Sequence, residues 1–572
     1  MNRRKLIYFL SAFVLIIGCY ALNLSYSLFT QNITTENNVV ESTIPVINAS
    51  LEQDTFTIPA NSGELLTLKI NNTGNTNIQF GVSIPTLPEG IKGYLVEKAD
   101  NDIVGTLESN TNKEVLVYIE NENAEDIEVI FNLDVKYETI TFDKESFINS
   151  SNIDCVNKIK LLYDSILARA ASTEITDETR TILDESFDSS RITGISGETE
   201  RKLIKAEDDY GTSYVYRGAV KDNYVNFAGF TWRIVRINGD GTIRLILDGT
   251  LDKTCVEYNT DKTCKTYAGT TTEFNISYND NAYVGYMYGF TGGVTSKCLT
   301  KGGINEYTVD SSSTYTSKEV CESAGGRWAG TAYETTHINK NSSTIKTNID
   351  TFYETYIENG TTKQYEKYLS DTIFCGDKSL SSSGIGNVST QLGYGTGSAN
   401  ETYYAGSERL YHSSGLSSIT TANPTLKCAE GESNTYSRYT VEEQNRNNVL
   451  TNGDLKHPIA LLSADELVLA GAWGESGTFT NQSYYLYDAY ANVLSYSYWW
   501  TLTPYNFSGS SAIEYSSNAT TYSLGRNSVY SSGGARPVIN LRNDVLIESG
   551  NGTKQTTYDE DGNVLTGPYI IK

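Results

Sequence analysis

YVNFAGFTWRIVRINGDGTIRLILDGT, residues 224–250, reads as two strands joined by a tight turn. Apolar, β-branched and aromatic residues fill both halves, and Asn238-Gly239-Asp240-Gly241 between them is hairpin chemistry. Strand-like segments return near the C-terminus: YWWTLTP (498–504), SAIEYSS (511–517), SVYSSGGARPVINLRND (528–544) and GPYIIK (567–572). Between these ends, 342–358 and 362–374 carry helical periodicity. LLSADELVLAGAWG (461–474) shows a capping box, Ser463 with Glu466, and Gly474 as its expected stop. Strands at both ends enclosing a few helices and a long polar region predict an α+β domain over 214–572, its terminal strands paired.

Upstream the pattern changes. Residues 40–140 alternate, as in LLTLKI (65–70) and IEVIFNLDV (127–135), with turn residues at ANSG and NNTGNTN. Five or more short strands without a helix predict an all-β, immunoglobulin-like sandwich, whose plain use is as a spacer. Segment 145–213 follows as a helix and linker. CVNKIKLLYDSILARAAS (155–172) spaces Ile159, Leu162, Ile166 and Leu167 as an amphipathic helix. The charge-rich run Glu174–Asp209 reads as linker, mobile or loosely helical.

Residues 1–30 supply an address. Arg3, Arg4 and Lys5 precede an uncharged, mostly apolar run from Leu6 to Leu22 that continues past Asn23 to Phe29. That is an export signal, long enough as read to span a bilayer as an uncleaved signal anchor, N-terminus in the cytoplasm. IIGC, ending at Cys19, also resembles a lipobox, so lipidation at Cys19 stays open. Both readings put the rest of the chain at the cell surface, with the membrane as one partner.

The composition fits that placement. A net charge of −25 over 572 residues speaks against nucleic acid, whose phosphates need clustered Lys and Arg. The chain has 42 Tyr against 17 Phe, with abundant Asn, Ser, Thr and Gly, a mixture that suits strands and polar turns and also marks an A/T-rich genome. Besides Cys19 there are seven cysteines. Nearest-neighbour pairing gives Cys255–Cys264, Cys298–Cys321 and Cys375–Cys428, leaving Cys155 over, each loop worth about 2.5–4 kcal/mol if unstrained. Zinc is the competing use, but no CxxC pair exists and His337, His412 and His457 are scattered.

Six segments together resemble a family of bacterial surface domains: 223–246, 281–289 (NAYVGYMYG), 369–379 (LSDTIFCGDKS), 457–474 (HPIALLSADELVLAGAWG), 498–504 and GARPVINLRNDVLIESGNGT (534–553). The resemblance implies a C-type-lectin-like fold, akin to the formylglycine-generating enzyme, over some 60% of the chain. It implies pairing of Cys375 with Cys428, and it makes 290–328 an insertion. The family brings no established activity. Its fold implies a scaffold whose late loops display ligand-binding side chains.

Residues 505–535, rich in Ser, Tyr, Asn, Gly and Thr, have the palette of an adaptable recognition surface. The candidate contact residues are Tyr505, Asn506, Tyr515, Asn518, Tyr522 and Tyr530, with short polar strands and turns as the plain alternative. One of the adjacent Trp499 and Trp500 is expected in the core and the other beneath flanking loops, and Arg536 is expected to be buried against a carboxylate. No triad, P-loop or dinucleotide motif is present. The turns at Asn238 and Asp559 have the acidic composition of Ca²⁺ loops but sit between strands, so no metal or other cofactor is assigned. The function expected is binding or adhesion at the cell surface to a glycan or protein, not catalysis. The alternatives are a structural envelope component or an extracytoplasmic hydrolase with a carboxylate pair.

Overall fold

The computed structural model describes most of residues 47–572; outside the described residues lie 1–46, 139–153, 173–179, 188–200, 383–391, 411–422, 474–483, 487–497 and shorter stretches. The expected anchor and Cys19 therefore fall outside it. Among the described residues no helix is long and apolar enough to cross a membrane. The chain is mostly β-sheet and divides into two compact units, Met1–Ile159 and Lys160–Lys572.

In the first unit the strands Ser62–Asn72 and Thr111–Asn121 pair antiparallel along their whole length, flanked by Ile47–Ser50 and Ile91–Glu97. Ile78–Ser83 pairs with Val104–Leu107 and Asp134–Glu138, and Thr55–Ile58 with Ile127–Ile130. The alternation seen in the sequence is the burial pattern. Leu66, Leu68 and Ile70 on one strand and Val115, Val117 and Ile119 on its partner enter one core with Ile58, Phe80 and Leu107 from the other sheets. Asn121, at the end of its strand, is also buried. Its amide donates to the carbonyls of Ile58, Pro59 and Glu125, tying the strand end to the neighbouring loops.

The second unit is built on the hairpin of residues 224–250. Phe230–Ile237 pairs with Ile243–Leu247 across the Asn238–Gly241 turn, where Gly241 adopts a left-handed φ of 84°. Val538–Leu541 extends the sheet beyond Ile243–Leu247. On the other side Tyr224–Phe227 pairs in parallel with Tyr569–Ile571, so the two ends of the α+β segment do meet. A second sheet runs Thr402–Tyr403, Tyr498–Phe507, Ala512–Asn518, Leu524–Ser528. Helices Leu162–Ala171, Thr344–Phe352 and Ala464–Ala470 contribute apolar residues to the same core as the strands.

Several expectations change. The run 155–172 is strand Asp154–Leu161 followed by helix Leu162–Ala171, because Lys160 and Leu161 pair with Ile547 and Leu546. The expected linker contains strand Arg201–Asp208, paired antiparallel with Gly211–Gly218, and short strand Ile182–Asp184. The capping box at Ser463 and Glu466 is present, but the helix stops at Gly471, whose φ of 124° ends it before Gly474. Segment 362–374, read as helical, holds the 3-10 turn Glu366–Tyr368 and ends in strand Phe374–Cys375. Disulfides Cys298–Cys321 and Cys375–Cys428 are formed. The first closes a loop between cysteines 23 residues apart in sequence, where a Cβ on Gly326 would stand 2.7 Å from Cys298 Sγ. The side chains of Cys155, Cys255 and Cys264 lie outside the described residues.

Both tryptophans of the Trp499–Trp500 pair are in the core. Trp499 lies under the Arg536 guanidinium at 5.1 Å, and Trp500 packs on Phe274 and Tyr498 while its Nε1 donates to the Thr272 carbonyl. Arg536 is fully buried, donating to the carbonyls of Leu247 and Leu486.

The terminal pairing can be tested at Tyr569, which is 1% exposed with an unpartnered hydroxyl. All five tryptophans lie in the second unit, so their fluorescence reports its unfolding alone. In urea titrations Tyr569→Ala should lose about 3 kcal/mol by leaving a cavity. Tyr569→Phe should be neutral or slightly stabilising, because it removes a buried hydroxyl without a partner.

Candidate functional site

Half of the expected contact residues lie inside the unit. Tyr505, Asn506 and Tyr515 are buried. Tyr505 packs edge-on against Tyr403 and Tyr515, and its hydroxyl accepts from Arg526 at 2.7 Å. The cause is topological. Tyr498–Phe507 and Ala512–Asn518 are the inner strands of a sheet covered on both faces, so alternation sends neither side-chain set into water. The Asn518 side chain and Tyr522 lie outside the described residues.

Tyr530 is exposed, and it has a partner that sequence reading missed. Its ring centroid lies 4.5 Å from that of Tyr278, the two residues being 50% and 41% exposed. Ile276, 69% exposed, sits two residues before Tyr278, and Ser528, Ser531 and Ser532 flank Tyr530. Backbone bonds hold the two segments together: Ala512 N–H to Tyr278 O at 2.7 Å and Asn275 N–H to Val529 O at 2.9 Å. Thr272 and Gly533 also face each other in a short ladder. The result is a braced aromatic platform with hydroxyls beside it. Only a long-range pairing brings Tyr278 there, so no local signal marks it.

Inside the unit lies a small polar cavity of about 20 Å³, room for roughly one water. Asp208, Asp209, Arg236, Arg244, Arg409, Asp465 and Glu466 line it. Arg236 pairs with Asp208 at 2.7 Å and Glu466 at 3.0 Å, Arg244 pairs with Glu466 at 2.6 Å, and Arg409 bridges Asp465 and Asp377. Burial pushes the Glu466 carboxyl up, but the two guanidiniums and the Ser463 amide outweigh it and hold it below its ordinary value. Burial likewise works against Asp208, where Arg236 and the Gly239 amide win. At neighbouring Asp209 burial prevails and the pKa rises despite the Cys428 amide. Two adjacent carboxyls are thus driven apart, as acid–base sites require, yet the space beside them has room for a water and not for a glycoside.

Of the three histidines, His337 and His457 lie in different surroundings. His412 lies outside the described residues. His457 stacks on Tyr353 and meets Glu354 at 3.1 Å. His337 is buried, its Nε2 2.8 Å from the Tyr404 hydroxyl, which in turn donates to Asn281. Among the described residues no group of His, Cys, Asp or Glu is arranged to hold a metal. The Asn238 turn spends its acid, Asp240, on Arg446 and Thr242, and the residues of the Asp559 turn are outside the described set.

Two predictions follow from these buried charges. Glu466→Gln leaves Arg236 and Arg244 short of their shared carboxylate in the interior. It should cost about 3–5 kcal/mol in urea unfolding followed by tryptophan fluorescence. Burial, reinforced by Lys378, lowers His337 from 6.5 to about 3. The unfolded chain then binds a proton that the folded chain refuses between those values, so stability rises with pH across that window. The His337 share of this, about 2 kcal/mol between about pH 6.5 and about pH 5, should appear as the difference in pH dependence of unfolding between the wild type and His337→Gln, since buried Glu514 titrates in the opposite sense.

Comparison with protein-family models, with curated proteins and with solved structures returned no match.

Proposed function

We propose that this chain is a cell-surface binding protein. An N-terminal anchor would hold it in the membrane and an immunoglobulin-like spacer would carry a C-type-lectin-like domain outward. That domain would recognise a glycan or a protein. The observation that carries this reading is the exposed, braced Tyr278–Tyr530 pair. Tyrosine rings offer an apolar face and a polar tip at small entropic cost, which suits both a sugar ring and a protein hot spot. Two disulfides support an oxidising compartment, and the basic and apolar N-terminus supports export. We read the interior charge cluster as framework, since its acids and guanidiniums are already bound to one another.

The test is a glycan and host-protein array probed with the residues 160–572 unit, with and without Ca²⁺. A ligand should appear, and Tyr278→Ala/Tyr530→Ala should bind it about tenfold or more weakly. Equal binding by the double variant, or no ligand under either condition, would overturn the platform. Binding only to the chain itself would favour the envelope-component alternative.

A further inference from the structure

Lys378 and Asn339 meet deep in the second unit, 1% and 0% exposed. The Lys378 ammonium position donates to the carbonyls of Met287 and His337, and to Asn339 Oδ1 at 2.7 Å. The Asn339 carboxamide is fixed from its other side. Its Nδ2 donates to Tyr436 O at 3.0 Å and Asp454 Oδ2 at 2.9 Å, and Tyr439 donates its hydroxyl to Oδ1 at 3.3 Å. With a carbonyl bond of about 1.2 Å, the carboxamide carbon lies within about 4 Å of Nζ.

Glu514 is the third member. It is 0% exposed, and its carboxyl meets the Gly285 amide but has no side-chain hydrogen-bond partner. A buried carboxylate and a buried ammonium without a direct bond between them gain by exchanging a proton, which leaves both neutral. Both groups shift in that direction: burial lowers Lys378 to about 7, and raises Glu514 far above the carboxylate range against the Gly285 amide and Lys378 itself. The interior thus favours a free amine beside a fixed carboxamide.

We propose that Lys378 and Asn339 are joined by an intramolecular isopeptide bond, formed by the folded protein on itself. Glu514 takes one proton from the Lys378 ammonium. The freed lone pair on Nζ attacks Asn339 Cγ, and the carbonyl π pair moves onto Oδ1, where the Tyr439 hydroxyl stands. As the carbonyl re-forms, the Cγ–Nδ2 bond breaks. Its electron pair and the second proton shed by Nζ go to Nδ2, which leaves as ammonia. Nζ keeps one hydrogen, Glu514 keeps the first proton, and no oxidant or external reagent is consumed. Two charges disappear from the core, and positioning replaces an external catalyst.

Peptide mapping of the reduced native full-length protein decides the matter. A branched peptide should join the Lys378 and Asn339 segments, one ammonia lighter than their sum, with neither found linear in quantity. Recovery of both only as linear peptides would overturn the proposal. Asn339→Asp should give the same branched peptide with loss of water, and Asn339→Ala should give linear peptides. Glu514→Gln should also give linear peptides while tryptophan fluorescence stays native. A native yield of branched peptide in that variant would overturn the role of Glu514 as the base.

Discussion

One carboxylate holds the second unit together. Glu466 receives Arg236 from the founding strand Phe230–Ile237 and Arg244 from its hairpin partner, and it caps its own helix by accepting from the Ser463 amide. Arg236 also reaches Asp208, whose second duty is to hold the Gly239 amide at the hairpin turn. Three elements distant in sequence are therefore registered by charges that have nowhere else to go. Inside protein an unpaired guanidinium costs several kcal/mol, so any arrangement that separates these partners is penalised heavily. The network adds little net stability compared with an apolar core. Its effect is to exclude wrong registers.

The same reasoning explains a sheet that is both polar and buried. Tyr498–Phe507 and Ala512–Asn518 carry Thr, Ser, Tyr and Asn, yet are covered on both faces. Each polar tip that enters must find a partner. Thr501 donates to the Tyr515 carbonyl, Thr503 accepts from the Ala464 amide, and Asn527 donates to Ser516. A residue palette that is adaptable on a surface is here spent on internal bonds. The turn at Tyr530, which follows strand Leu524–Ser528, reaches water where it meets Tyr278.

That contrast marks how far sequence reading goes. Local signals were legible: the period of two around Leu66 and Val117, the Asn238–Gly241 turn, and the Ser463–Glu466 cap each depend on neighbours in the chain. Features set by distant partners were not. Strand Arg201–Asp208 keeps Leu203, Ile204 and Ala206 inside while Lys202, Lys205 and Glu207 lie further outward, so its charges disguised it as a linker. The spacing of Ile159, Leu162 and Ile166 suits a helix, but pairing with Leu546 and Ile547 claims its first part for a strand. Of the described candidate residues, Tyr530 alone reaches water, because exposure is a property of the assembled sheet and not of a Ser- and Tyr-rich composition.

A core of this kind faces a difficulty that an apolar one does not. Buried polar groups are matched only while every partner stays in place, and water entering the unit offers each of them an alternative. Covalent links make that exchange harder, because they limit how far the segments can separate. Cys375–Cys428 tethers the segment before Lys378 to the strand region that carries Arg438 and Tyr439. A bond from Lys378 to Asn339 would tie the next few residues to the end of helix Ala332–His337, immediately beside the Cys298–Cys321 loop. The disulfides depend on the redox state of the surroundings, whereas an amide does not. The two kinds of link thus answer different threats to the same polar interior.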